Sequence, residues 1–300
     1  MSQASPESRL ITLQGNGADQ LAVRYFPSAS GKGKGIVLIH GSVENGRIFY
    51  SKSGKGLAPY LASQGYEVFV PDLRGRGESR PIINSESRFG NLEIIKHDFV
   101  LYEQLAKEYS DPSPLIWMGH SWGGVLIFQA LFRAFIQQPS AVVCWGTKRR
   151  ISVLSLRRLV MVEGFWVTLS FLLKKRYGYL PAKNWGMGSD NESKATHAET
   201  LRLVWDKKWI DPSDQWDYRL PRSFTKLPPA LFLTGSHDHV LGHAKDVRIF
   251  MKECGYHPEE LLLCGKDTGY TVDYTHVSLL THPSAGQELY PKVLSWLQRN

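Results

Sequence analysis

Apolar and polar positions follow three different rhythms along this chain. Residues 9–27 hold two alternating stretches, Leu10–Leu13 and Leu21–Phe26, around Gly15-Asn16-Gly17, which predicts an antiparallel hairpin. From residue 35 the short apolar runs are continuous, as expected of strands buried on both faces of a parallel sheet. They are Gly35–Ile39, Tyr66–Asp72, Pro114–Met118 and Ser140–Gly146. Helical patterns separate them at 56–65, 91–109 and 125–134, the second carrying Ile94, Ile95, Phe99, Tyr102, Leu105 and Ala106 on one face. The rhythm returns at Pro228–Gly235, a helix over 244–254, a last strand over 260–264, a long polar loop over 265–275 and a C-terminal helix over 284–298. Strand alternating with helix predicts an α/β fold, a mostly parallel doubly wound sheet with the N-terminal hairpin on one edge.

Residues 147–222 follow a third rhythm. They hold no short apolar strand with turn signals, but they carry Trp166, Trp185, Trp205, Trp209 and Trp216. The basic runs Lys148–Arg150, Arg157-Arg158 and Lys174–Arg176 flank the bulky apolar segment 159–173. We read this stretch as a helical cap inserted into a core of residues 1–146 and 223–300, with an ordinary helical layer or a membrane-surface helix as the other readings. The net charge of +8 raises nucleic acid or an anionic membrane as partners, but no nucleic-acid motif is present and the basic residues are otherwise dispersed. Weak membrane contact through the cap is the one such partner retained. Gly31–Gly35 lacks the order of a phosphate-binding loop. Three sparse cysteines do not form a disulfide framework. The opening residues lack an apolar h-region, and no window is long and apolar enough for a membrane span, so a cytoplasmic location is expected.

The candidate chemistry centres on the strand, turn and helix over 114–130. The turn Gly119-His120-Ser121-Trp122-Gly123 is a G-x-S-x-G, which lifts a serine hydroxyl clear of the backbone at a helix N-terminus. A serine hydroxyl becomes nucleophilic only with a histidine to take its proton and a carboxylate to orient that histidine. Reactive groups in such sheets gather past the C-terminal ends of strands. That filter selects Asp238 and His276 as acid and base. Asp72 also passes it, but its glycine-rich turn offers a local role; the Asp of His97-Asp98 reads as a helix-dipole residue. The backbone amides of Ser42 and Trp122 are the expected oxyanion hole, each such donor being worth about 3 kcal/mol in the transition state. His40, His120, Phe165 and Trp166 are expected around the substrate. His237, His239 and His243 have an H-x-H-x-x-x-H spacing, but no cysteine or carboxylate cluster completes a metal site, so neither metal nor cofactor is expected.

Together, His40-Gly41, Asp72-x-Arg74-Gly75-x-Gly77-x-Ser79, the Ser121 turn, Asp238-x-Val240 and the late His276 resemble an α/β-hydrolase along nearly the full chain. The stretches Gly54–Val68 and Asp273–Leu280 further resemble the acid-lipase and cholesteryl-esterase-like branch. That branch carries Asn-His-Leu-Asp around its histidine, where this chain has Thr275-His276-Val277-Ser278. The resemblance implies hydrolysis of a carboxylic ester or thioester through an acyl-enzyme. Ser121 would be the nucleophile, His276 the proton shuttle and Asp238 its orienting acid, and the aromatic cap implies an apolar acyl or alcohol group. The alternatives are an aminopeptidase-like amide hydrolase, which would want an acidic rather than a basic cap, and a non-catalytic binding protein on the same fold. Haloalkane dehalogenases and epoxide hydrolases place an aspartate where this chain has Ser121.

Overall fold

Hydrophobic residues at period two build one eight-stranded sheet whose two faces each bury their own cluster. The computed structural model describes residues 7–219 and 226–300, so the expected boundary between 222 and 223 lies outside the described residues. The strands are β1 (Arg9–Gln14), β2 (Gln20–Phe26), β3 (Gly35–Ile39), β4 (Glu67–Pro71), β5 (Ile116–His120), β6 (Ala141–Trp145), β7 (Ala230–Gly235) and β8 (Leu262–Cys264). Their spatial order is β1-β2-β4-β3-β5-β6-β7-β8. β1 and β2 pair antiparallel, β2 joins β4 antiparallel, and β4 through β8 run parallel.

Val37, Ile39, Phe69, Trp117 and Val142 face the layer holding the helices Phe99–Tyr109, Trp122–Phe132 and Ala244–Cys254. Ile36, Leu38, Val68, Met118 and Val143 face the helices Leu57–Ser63 and Ala285–Leu297. The strand order reverses between β3 and β5, which opens a crevice beyond their C-terminal ends. Ile39 pairs with Gly119 in register, so the turn after β3 and the turn after β5 stand side by side at that crevice.

One local expectation changes. Asp98 does not serve a helix N-terminus: the helical path already begins at Asn91, and Asp98 is fully buried in an ion pair with Arg74, which also pairs with Asp19. Lys148 and Arg149, from the first basic run of the 147–222 segment, are both buried. The Arg149 guanidinium donates to the carbonyls of Leu203 and Asp206 and pairs with Glu253.

In that segment a wide-wound helical stretch, Leu159–Leu169, runs into the helix Ser170–Tyr177, and a further helix spans Lys194–Trp205. Its β pairing is confined, among the described residues, to the isolated bridges Leu180–Glu192 and Ile210–Asp217. No described helix is long and apolar enough to cross a membrane.

Candidate active site

The turn after β5 forces Ser121 into the left-handed region, at φ 51° and ψ −121°, a conformation costly for a residue with a side chain. Its amide donates to the Trp145 carbonyl at 2.8 Å, which ties the turn to β6. The flanking glycines are steric requirements. A Cβ on Gly119 would lie 2.3 Å from the Gly124 nitrogen, and one on Gly123 would lie 2.2 Å from the Ile39 oxygen. The backbone of β3 and the following helix therefore press directly on the turn, as the motif's spacing predicts.

Ser121 and His276 line one cavity of about 630 Å³ at the crevice between β3 and β5. No direct hydrogen bond joins Ser121 Oγ to the imidazole among the described residues; such contacts are often loose before substrate binds. The buried His276 Nδ1 donates to Asp238 Oδ2 at 2.6 Å, which leaves Nε2 as the basic nitrogen. Burial works to raise the Asp238 pKa, but the charge and hydrogen bond of His276, the Gly242 amide and Lys148 outweigh it and hold the carboxyl below the usual range. Burial lowers the pKa of His276, Asp238 opposes it, and the charges of His120 and Lys148 push it down further, so the net shift is downward. Ser42 and Trp122 line the same cavity, and neither backbone amide is engaged by another described group.

The four residues expected around the substrate divide. Phe165 and Trp166 line the cavity. His40 and His120 do not; both are completely buried behind it. His40 Nε2 accepts the Leu73 amide at 3.0 Å and Nδ1 donates to the Gly41 carbonyl at 2.9 Å, a neutral tautomer that braces the ends of β3 and β4. Burial first, then the Arg76 charge, depress its pKa to about 4. His120 donates from Nδ1 to Glu44 Oε2 at 2.8 Å and from Nε2 to the His276 carbonyl at 3.1 Å. Burial opposes protonation of His120, but Glu44 prevails and raises its pKa; in return Glu44, despite its own burial, falls to about 2.

Asp72 is held away from the cavity, accepting the amides of Gly46 at 2.7 Å and Glu78 at 2.8 Å. His243 accepts the Lys245 amide at the start of a helix, and the rings of His237 and His239 lie 5.2 Å apart. Glu44 and Lys148, both lining the cavity, were not singled out by the sequence as site residues. Glu44 sits three residues past the His40-Gly41 turn; Lys148 sits three past β6, where the strand-end filter applies but the Lys148–Arg150 run reads as surface charge.

A family model for the alpha/beta hydrolase fold matches residues 35–147. No curated protein sequence matches the chain. Among solved structures, a soluble variant of monoglyceride lipase from Saccharomyces cerevisiae, in complex with a substrate analog, is 18% identical. That match covers 99% of this chain and 96% of the lipase, with a TM-score of 0.67. A thermophilic esterase from Thermogutta terrifontis is 14% identical over 97% of this chain and 98% of its own, with a TM-score of 0.57. The thioesterase domain from the curacin biosynthetic pathway is 15% identical over 96% and 99%, with a TM-score of 0.55. At such identities the likeness is one of fold, and the chain has the α/β-hydrolase fold.

Proposed function

On the α/β-hydrolase fold, we propose that this chain is a serine hydrolase that cleaves a carboxylic ester or thioester through an acyl-enzyme. The observation that carries the reading is the buried 2.6 Å pair of His276 and Asp238, at the cavity that also holds the strained Ser121 turn. Ser121 Oγ attacks the substrate carbonyl as His276 Nε2 takes its proton. Asp238 keeps the Nδ1–H tautomer and stabilises the imidazolium that forms. The amides of Ser42 and Trp122 receive the oxyanion. His276 then returns the proton to the leaving alcohol or thiol, and a water activated by the same nitrogen releases the acid.

We assign the described part of the 147–222 segment, residues 147–219, as a cap over this cavity. Support comes from Met161, Phe165 and Trp166, which line the cavity from the segment's helical stretch. These walls suit an apolar acyl or alcohol group. The segment carries exposed Leu154, Leu156 and Phe171, the last on one helix with exposed Lys175 and Arg176, which supports a weak contact with anionic membrane surfaces.

A fluorophosphonate probe tests the nucleophile: labelling of the protein and none of Ser121→Ala is expected. A folded protein that resists the probe and leaves p-nitrophenyl esters of two to twelve carbons intact (about that range, to span the cavity) defeats the reading.

A further inference from the structure

A lysine in the cavity wall is paired with no described residue. Lys148 is 6% exposed and lines the cavity together with Ser121 and His276. Its ammonium makes no hydrogen bond or ion pair with any described residue and is not among the buried unpartnered atoms, so it opens onto the cavity. Burial lowers its pKa, opposed by three carboxylates, Asp238, Asp246 and Glu44, each of which is already committed elsewhere. Asp238 holds His276, Asp246 accepts the Ser152 amide at 3.0 Å, and Glu44 holds His120 and the Gly41 amide. An ammonium at the wall of a largely apolar cavity, with no protein partner, attracts an anion more strongly than it would in bulk water. Arg47, exposed at the cavity's edge and stacked over the Tyr50 ring at 4.9 Å, adds a second positive charge on the way in.

We propose that Lys148 is an anion subsite, and that the substrate is an ester or thioester carrying a carboxylate remote from its scissile carbonyl. This rests on the hydrolase reading and narrows it. The aliphatic and aromatic walls take the substrate's chain, and its far carboxylate completes the ion pair that Lys148 lacks. A single ammonium matches a monoanion; a phosphate dianion calls for more donors than the one buried cation here supplies.

The test is equilibrium binding to Ser121→Ala protein by calorimetry, which requires no turnover. Monoethyl succinate and monoethyl adipate are compared with ethyl butanoate and ethyl hexanoate, the neutral esters of equal chain length. A charge-assisted contact of this kind predicts that at least one half-ester binds about tenfold or more tighter than its neutral counterpart. In Lys148→Met, which keeps the aliphatic stem, that ratio falls to about one. Lys148→Gln serves as a second variant if the first does not fold, as judged by circular dichroism. Equal or weaker binding of both half-esters overturns the proposal, and so does a preference that persists in the folded Lys148 variant. Fluorophosphonate labelling of Ser121 separates the two readings. Lys148-dependent binding in a protein that resists the probe leaves the anion subsite standing and removes the hydrolase; labelling without any preference does the reverse.

Discussion

His120 Nε2 stands 3.1 Å from the His276 carbonyl oxygen, and the two imidazole rings lie 4.7 Å apart between centroids. The other His120 nitrogen faces Glu44 Oε2 at 2.8 Å. Both acceptors lack protons to give, so both nitrogens donate and His120 is an imidazolium. That cation holds the backbone of the proposed base and repels a second proton from its ring. His276 is thereby kept neutral, and so basic, at neutral pH.

The first prediction follows from the sign of that repulsion. His120→Gln removes the cation and leaves the Glu44 carboxylate, and both changes favour protonated His276. The acid limb of kcat/KM, set by deprotonation of His276, therefore moves to higher pH, by about half a unit to one unit. A pH–rate profile on a p-nitrophenyl ester checks it. If His120 served only to shape the turn, the plateau would fall and the limb would stay where it is.

Asp238 makes the second prediction. Asp238→Asn keeps the shape but presents a donor or an uncharged acceptor to His276 Nδ1, which favours the wrong tautomer. Turnover should fall by about 10⁴-fold with the thermal midpoint little changed. Retention of more than a tenth of wild-type kcat would assign the orienting acid elsewhere.

Gly242 tests the same pair by steric means. A Cβ there would lie 2.5 Å from Asp238 Oδ2 and 3.0 Å from His276 Nδ1. Gly242→Ala should displace the carboxylate and lower kcat by about 10²-fold, since misplacement of about an ångström costs that much. KM should move far less, and unfolding measurements should show a loss of about 1–3 kcal/mol.

Much of this site is legible in the sequence because its parts are local. The Ser121 turn announces itself through glycines whose absent side chains make room for neighbouring backbone, and strand ends point to Asp238 and His276. Glu44 and Lys148 are not legible in that way. Each takes its meaning from a partner, or from the lack of one, set by tertiary packing: Glu44 meets His120 across 76 residues, and Lys148 turns inward from a run that reads as surface charge. Asp98 misleads for the same reason, since its partner Arg74 comes from a different part of the chain. His40 and His120 lie beside the site in sequence, yet their side chains turn away from the cavity to satisfy backbone and carboxylate groups.

The exposed apolar residues of the proposed cap yield a fourth prediction. Leu154, Leu156 and Phe171 are 84%, 77% and 63% exposed, and Phe171 shares a helix face with the exposed Lys175, whereas Lys174 turns to His197 at 2.8 Å. The protein should co-sediment with phosphatidylserine vesicles at low salt, less with phosphatidylcholine vesicles, and less as salt rises. Phe171→Asp should weaken that binding without loss of soluble ester turnover. Equal sedimentation with both vesicle types would exclude the basic residues as the cause.

Glu192 couples the proposed cap to the proposed oxyanion loop. Its carboxylate accepts the Val43 amide at 2.7 Å and the Thr196 hydroxyl at 2.6 Å, and pairs with Arg76, both partners being 3% exposed. Arg76 Nε and Nη1 have no other partner among the described residues, so Glu192 supplies the one ion pair recorded for this guanidinium. Glu192→Ala strands a buried cation and frees the loop that carries Ser42. Urea unfolding should show a loss of about 3–5 kcal/mol. The double variant Arg76→Met, Glu192→Met should lose less than Glu192→Ala, because no charge is then left unpaired. In catalysis the two variants should agree. Both lose the Val43 anchor, so both should lower kcat through the oxyanion amide, while only the single variant is strongly destabilised. A single variant as stable as the double would show that solvent, not Glu192, balances Arg76.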